Sequence, residues 1–224
     1  MRSAVFAAVV SVPPSMVSHC SGSSNSETDT SETSAAPACT AYDSGSADYA
    51  PIQTTGSGQP TGASSTTWAT PADWTYWVPF DGTVGSAAVH EGMDYVHDDS
   101  SEAEVDVAVA ASGDVVYVRT GCPESALFSP NSSVRECGSG WGNHVVVHHG
   151  GTTYTRYAHL SDGEVFVEVG DQLRRGDVLG LMGNSGRSET RHLHFELGST
   201  SDTIDPCAGS WSFSYVYDPA VLGL

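Results

Sequence analysis

The chain contains no lysine. Its 8 basic residues are all arginine, set against 27 acidic ones, for a formal charge of −19. Such a field repels phosphate backbones and argues against nucleic acid as a partner. It argues equally against electrostatic attachment to an anionic membrane surface. Long apolar runs are missing as well, and none approaches the ~20 residues of a spanning helix. No stretch of about ten residues carries the 3.6 periodicity of an amphipathic helix. Among the 5 cysteines there is no Cys-x-x-Cys pair, so a cysteine-ligated zinc site is not expected. What remains is a chain of 224 residues, 39% hydrophobic and 9% aromatic. That is enough for one medium domain with a polar tail, since a domain of about 150 residues buries roughly 70% of its unfolded surface.

The tail comes first. Arg2 precedes an apolar stretch, Ala4 to Val12, of signal-peptide length. Val17-Ser18-His19-Cys20 then has the form of a lipoprotein processing site. Residues 1–19 are therefore expected to be a signal peptide and Cys20 a candidate lipidation site. Cleavage elsewhere, with free secretion, is the alternative. From Cys20 to Thr67 only Ile52 is a Val, Ile, Leu, Met, Phe or Trp. Such a composition cannot offset its ordering entropy, and residues 20–67 read as a disordered Ser/Thr-rich linker. Trp68 opens the globular part, residues 68–224.

Without Cys20, four cysteines remain: Cys39, Cys122, Cys137 and Cys207. In an exported chain an even number suggests two disulfides, and four cysteines allow three connectivities. Cys122–Cys137 is the most local pairing. Cys39–Cys207 would then tie the tail to the C-terminal segment.

Within 68–224 the pattern is one of short strands. Apolar and polar residues alternate over 105–109, 114–118, 144–148, 153–159, 164–169 and 192–197, with Gly-Asp, Gly-Gly, Ser-Asp-Gly and Asn-Ser-Gly between them. The expected fold class is all-β and antiparallel.

The chemistry lies among 9 histidines. His192-Leu193-His194 places two imidazoles on one strand face, with Glu196, and puts Leu193, Phe195 and Leu197 on the other. His90-Glu91-Gly92-Met93-Asp94 resembles a truncated HExxH, but its fifth residue is Asp and no helical periodicity surrounds it. Glu91 reads as a solvated acid, while His90 and Asp94 can reach one ion. With His192 or His194 they make a two-His, one-carboxylate set. Three protein ligands and an open position are the signature of catalytic zinc.

In order along the chain stand His90/Asp94, then Tyr157-Ala158-His159-Leu160, then His192-Leu193-His194-Phe195-Glu196. Between them lie Trp141-Gly142-Asn143, Arg175-Gly176-Asp177-Val178-Leu179-Gly180 and Gly183-Asn184-Ser185-Gly186. This arrangement resembles the lysostaphin-type (LytM-like) zinc metalloendopeptidases of peptidoglycan. The resemblance implies a compact antiparallel β-sandwich or barrel-like catalytic domain of the duplicated-hybrid-motif type, with long loops. It implies one Zn2+ held by His90, Asp94 and His194, and His159 and His192 as the catalytic pair. The substrate would be peptidoglycan peptides. Tyr157, sharing a strand face with His159, together with Asn143 and Arg191, are candidates to border the cleft. Before the His192 motif the family's Ser-Thr-Gly-Pro is replaced by Ser188-Glu189-Thr190-Arg191, which changes the loop beside the metal. Arg191 is expected to disfavour the protonated form of His192.

Two other readings compete. A non-catalytic peptidoglycan-binding or amidase-activator module on the same fold would generally lack a ligand or a catalytic His, and all five positions are filled here. A secreted carbohydrate binder would use Trp68, Trp74 and Trp77 as stacking surfaces, although these fit the edge of the core at the domain start. The chain is expected to be a monomer in the cell envelope or secreted, touching a membrane only through an anchor at Cys20.

Overall fold

A computed structural model describes residues 53–63, 66–71, 75–125 and 132–224. The expected signal segment 1–19, Cys20, Cys39 and Trp74 lie outside the described residues. In chain order the strands are β1 (Thr54–Thr55), β2 (Thr75–Val78), β3 (Met93–Val96), β4 (Asp106–Ala108), β5 (Gly113–Arg119), β6 (Asn143–His148), β7 (Thr153–Val165), β8 (Gln172–Leu173), β9 (Val178–Met182), β10 (Leu193–Ser199) and β11 (Tyr215–Tyr217). The helical turns that lie wholly within the described residues are α1 (Ser132–Arg135) and two 3-10 turns, Cys137–Gly140 and Pro219–Leu222. No helix among them is long and apolar enough to cross a membrane. The domain is all-β.

The strands form one branched sheet in the order β1-β11-β10-β7-β6-β5-β8. On one branch β3 pairs with β10 and carries β2; on another β9 pairs with β7 and carries β4. All pairings are antiparallel except that of β1 with β11.

The central strands are buried on both faces. Val145 and Val147 of β6 enter one apolar cluster with Val115, Tyr157 and Phe195, whereas Val146 enters a second with Tyr117, Phe213 and Val216. Val115 and Tyr117 are two residues apart and would share a face on a regular strand. They do not, because the register slips between them: Val115 opposes Val147 and Tyr117 opposes Val146. This bulge lets one valine-rich strand serve two cores. The arm β4–β9 covers the first cluster with Val107, Leu179 and Met182.

Strand β7 joins the layers. Its first half pairs with β6 and β10, and from Leu160 to Val165 it pairs with β9. The separate strands expected at 153–159 and 164–169 are thus largely one strand that continues through Ser161-Asp162-Gly163. The register on β9 shifts across that stretch, so the turn residues make an irregularity in the strand instead of ending it.

Order also begins earlier than residue 68. Thr54 and Thr55 pair with Tyr215 and Val216, and Gln53 and Thr55 are buried. This short segment contributes backbone hydrogen bonds and polar side chains and no apolar area, so a hydrophobicity argument passes over it. The expected disulfide Cys122–Cys137 is present, with its Cα atoms 5.6 Å apart. Cys207 is disulfide-bonded as well.

Candidate active site

Three strands meet where the motifs converge. On β10, His194 stands opposite Asp94 of β3 on one side and Ala158 of β7 on the other. His90 precedes β3 and is held by a bridge to Asp81. Single ligand atoms of His90, Asp94 and His194 all lie within 4.8 Å of one another. Asp94 Oδ1 is 3.2 Å from His90 Nε2 and 2.8 Å from His194 Nδ1. Gly92 cannot be larger, because a Cβ there would come within 2.4 Å of the Phe195 carbonyl oxygen.

The far side of each ring sets which nitrogen faces inward. His90 Nδ1 lies 2.6 Å from the Pro79 carbonyl, and His194 Nε2 lies 3.1 Å from Glu196 Oε1. Those oxygens accept and cannot donate, so each holds a proton on the outer nitrogen, and the inner nitrogen, which donates to Asp94 while the imidazole is charged, offers its lone pair to an ion once that proton is lost. Two imidazole nitrogens and a carboxylate oxygen suit a divalent transition metal such as zinc. Burial raises the pKa of Asp94, but hydrogen bonds from His194 and His90 and the charge of the histidines outweigh it and hold the carboxyl far below its usual range. Burial opposes the charged form of His194 in the same way, yet hydrogen bonds to Asp94 and Glu196 push it up to about 10.

His159 and His192 stand beside this cluster, their ring centroids 4.7 Å apart. His159 Nδ1 donates to the Ser185 carbonyl at 2.7 Å, and His192 Nδ1 to that of Thr190 at 2.8 Å. Both therefore turn Nε2 inward, and His192 Nε2 is 3.6 Å from Asp94 Oδ1. Burial first, and neighbouring imidazoles second, keep His159 well below its ordinary pKa. Burial also lowers His192, although Asp94 opposes it. Arg191 is not among the leading causes of that shift, and its guanidinium donates to the Ala103 carbonyl.

The five residues open on a cavity of about 340 Å³, lined as well by Trp77, Glu91, Ser139, Gly140, Trp141, Arg187 and Glu189. Three residues expected near the cleft are absent from its walls. Tyr157 is fully buried in the first apolar cluster, where its hydroxyl accepts from Ala110 N–H. The expectation failed because alternation requires extended backbone, and His159 has φ +61°, which turns its side chain away from the face of Tyr157. Asn143 is fully buried, with its amide spent on the N–H and C=O of Cys122 and on the Leu160 carbonyl. Arg191 is drawn to Ala103, and the arginine at the cavity is Arg187, in a bidentate pair with Glu136. Glu91 is not a freely solvated acid either. It lines the cavity, half-buried, and burial raises its pKa. Trp68 packs against the core, as expected of an edge residue, whereas Trp77 is 50% exposed with its indole edge-on to His192. Sequence reasoning missed Arg187 and Ser139, which carry no motif and are gathered only by the loops, and placed Glu189 beside the metal without giving it a part in the cleft.

Residues 88–206 match the model of peptidase family M23. The peptidoglycan DD-endopeptidase ShyA of Vibrio cholerae is 50% identical over 56 residues, 25% of this chain and 13% of that protein. ShyC, a peptidoglycan DD-endopeptidase of the same organism, is 30% identical over 113 residues, 50% of this chain and 21% of that protein. The chain thus spans a minor part of the curated relatives it matches. Among solved structures, the catalytic domain of the antimicrobial peptidase lysostaphin from Staphylococcus simulans aligns with a TM-score of 0.45 and 22% identity, covering 68% of this chain and 94% of that one. With a family match over more than half its length and a His-Asp-His cluster able to hold a metal within that span, this chain belongs to peptidase family M23.

Proposed function

We propose that the chain is a zinc-dependent endopeptidase that hydrolyses peptide cross-links of bacterial peptidoglycan. The observation that carries the reading is the convergence of inward-facing nitrogens from His90 and His194 on Asp94, with His159 and His192 at the same cavity. A D-Ala to diamino-acid bond is favoured over Gly-Gly, because the matched relatives are named DD-endopeptidases.

His90 Nε2, Asp94 and His194 Nδ1 would hold the ion, whose chemistry is to acidify water and polarise the scissile carbonyl. The chain's own residues do the rest. A neutral imidazole in a buried site is a competent proton acceptor. With Nδ1–H committed to a carbonyl, one of His159 and His192 takes the proton of the attacking water at Nε2. The proton so gained then leaves from Nε2 to the departing amine, directly or through the other imidazole, whose ring centroid lies 4.7 Å away. Trp77 and Trp141 give the cavity rigid aromatic walls that exclude water from the peptide.

In this reading residues 1–19 export the chain and Cys20 anchors it as an envelope lipoprotein. Anchoring raises the local concentration of a monomeric enzyme whose charge does not steer it to an acidic wall. Mass spectrometry of muropeptides after digestion of isolated sacculi tests the activity and identifies the bond together. Zinc-loaded protein is expected to remove cross-linked species, and His194→Ala to leave them intact. Untouched sacculi and untouched D-Ala or Gly-Gly peptides would refute the proposal.

A further inference from the structure

Gln53 is 2% exposed although it lies well upstream of residues 88–206. It immediately precedes strand β1, which pairs in parallel with β11. Inside, both ends of its amide are used. Oε1 accepts from the backbone N–H of Phe213 at 2.7 Å, and Nε2 donates to Glu196 Oε2 at 3.4 Å.

Glu196 is the reason this contact matters. It is fully buried, directly behind the ligand His194. Its Oε1 accepts from Trp141 Nε1 at 2.5 Å and from His194 Nε2 at 3.1 Å. Its Oε2 accepts from Arg156 Nη1 at 2.9 Å and from Gln53. Arg156 stands opposite Glu196 across the β7–β10 pair, lies over the Trp141 ring at 3.5 Å and donates from Nη2 to the Trp211 carbonyl at 2.5 Å. Four donors thus fill the sites that a carboxylate offers. A carboxylate held in this way cannot rotate to leave His194. Because it only accepts, it keeps the histidine proton on Nε2 and the lone pair on Nδ1.

We infer that Gln53 is a positioning residue of the metal centre: with Arg156 and Trp141 it fixes the Glu196 carboxylate, which orients His194 and aims Nδ1 at the ion. The inference rests on the reading of His90, Asp94 and His194 as metal ligands. It gives the segment before residue 88 a role in the site, because that segment supplies one of the four donors. The competing explanation is that Gln53 only ties β1 to β11 through Phe213.

Zinc affinity of the full chain, measured by competition with a chromophoric chelator, separates the two, together with the visible absorption spectrum of the cobalt(II)-loaded protein. Outer partners of metal-bound histidine typically contribute 10–100-fold to affinity. Gln53→Met keeps the volume and removes both hydrogen bonds; it is expected to weaken zinc binding by about tenfold and to alter the cobalt bands. Glu196→Gln combined with Arg156→Met leaves no unpaired buried charge and is expected to cost roughly the full 10–100-fold. Gln53→Met with wild-type affinity and cobalt spectrum but a lower melting temperature would overturn the inference and leave Gln53 a structural tie. A wild-type chain that binds no zinc would overturn the metal reading itself, and this inference with it. Should the double variant fail to fold, Gln53→Met decides alone, since it changes no charge.

Discussion

His159 has φ +61°, in a region that non-glycine residues rarely occupy. Its N–H donates to the Trp141 carbonyl and its ring to Ser185, so the turn is held from both the backbone and the side chain. The conformation brings a β7 side chain round to meet His192 of the β10 segment. Because neither residue is a ligand in the proposed mechanism, His159→Gln and His192→Gln are each expected to retain one zinc. Each should lower kcat by about 10²–10⁴-fold, the usual contribution of a positioned acid or base. Metal analysis beside steady-state kinetics on a cross-linked muropeptide checks both halves, and loss of zinc from either variant would assign that residue to the metal.

Titration of buried histidines belongs to the same scale. Burial lowers the pKa of His144 to about 3 and that of His149 to about 4, and it also depresses His159 and His192. Below the ordinary histidine value near 6.5 the unfolded chain binds protons that the native state excludes. The stability these groups contribute is therefore present above pH 6.5 and is lost as the pH falls through 6.5 towards 3. Urea midpoints of the zinc-loaded protein are expected to drop between pH 7 and 5. His149→Gln should reduce that drop, and a flat profile would contradict the burial of these rings.

At the scale of elements, the sequence was most legible where alternation and chemistry coincide. The strands around Val115, Val145 and Phe195 follow from alternation, and Leu193-His194-Phe195 faces as its spacing requires. The ligand cluster was read from a family resemblance, and the structure brings single ligand atoms of His90, Asp94 and His194 within 4.8 Å of one another. What stayed hidden depended on backbone irregularity or on long-range pairing. The bulge at Val116 divides one strand between two cores, the φ of His159 hides Tyr157, and only the β7–β10 register puts Arg156 opposite Glu196.

Asn143 shows the consequence for the loops. Its amide clamps both backbone groups of Cys122, at the base of the loop closed by Cys122–Cys137, and reaches Leu160 on β7. The Cys137–Gly140 turn at the end of that loop supplies Ser139 and Gly140 to the cavity. Asn143→Ala strands a buried N–H and two carbonyls, for a loss of about 3 kcal/mol or more in urea unfolding. A residue that touched substrate would instead raise KM at unchanged stability, so the two measurements together separate a clamp from a cleft wall.

For the whole molecule, the question is how far the fold would depend on a bound ion. Two apolar clusters, built from strands across the sheet, account for the core, and neither contains a ligand side chain. Around the site, Asp94 is hydrogen-bonded to His90 and His194, and Glu196 to Arg156, so the cluster carries its own polar pairing. A chain organised in this way is expected to stay folded when a chelator removes any bound metal, unlike small zinc modules whose core is the metal. Binding still stabilises by linkage, by about 4 kcal/mol when free zinc is a thousandfold above its Kd. Chelation is therefore expected to lower the melting temperature by several degrees and leave the near-ultraviolet circular dichroism of the native tryptophans in place at 25 °C. Collapse of that signal on chelation would mean that the ion, and not the two valine-rich cores, holds the three strands at the site together.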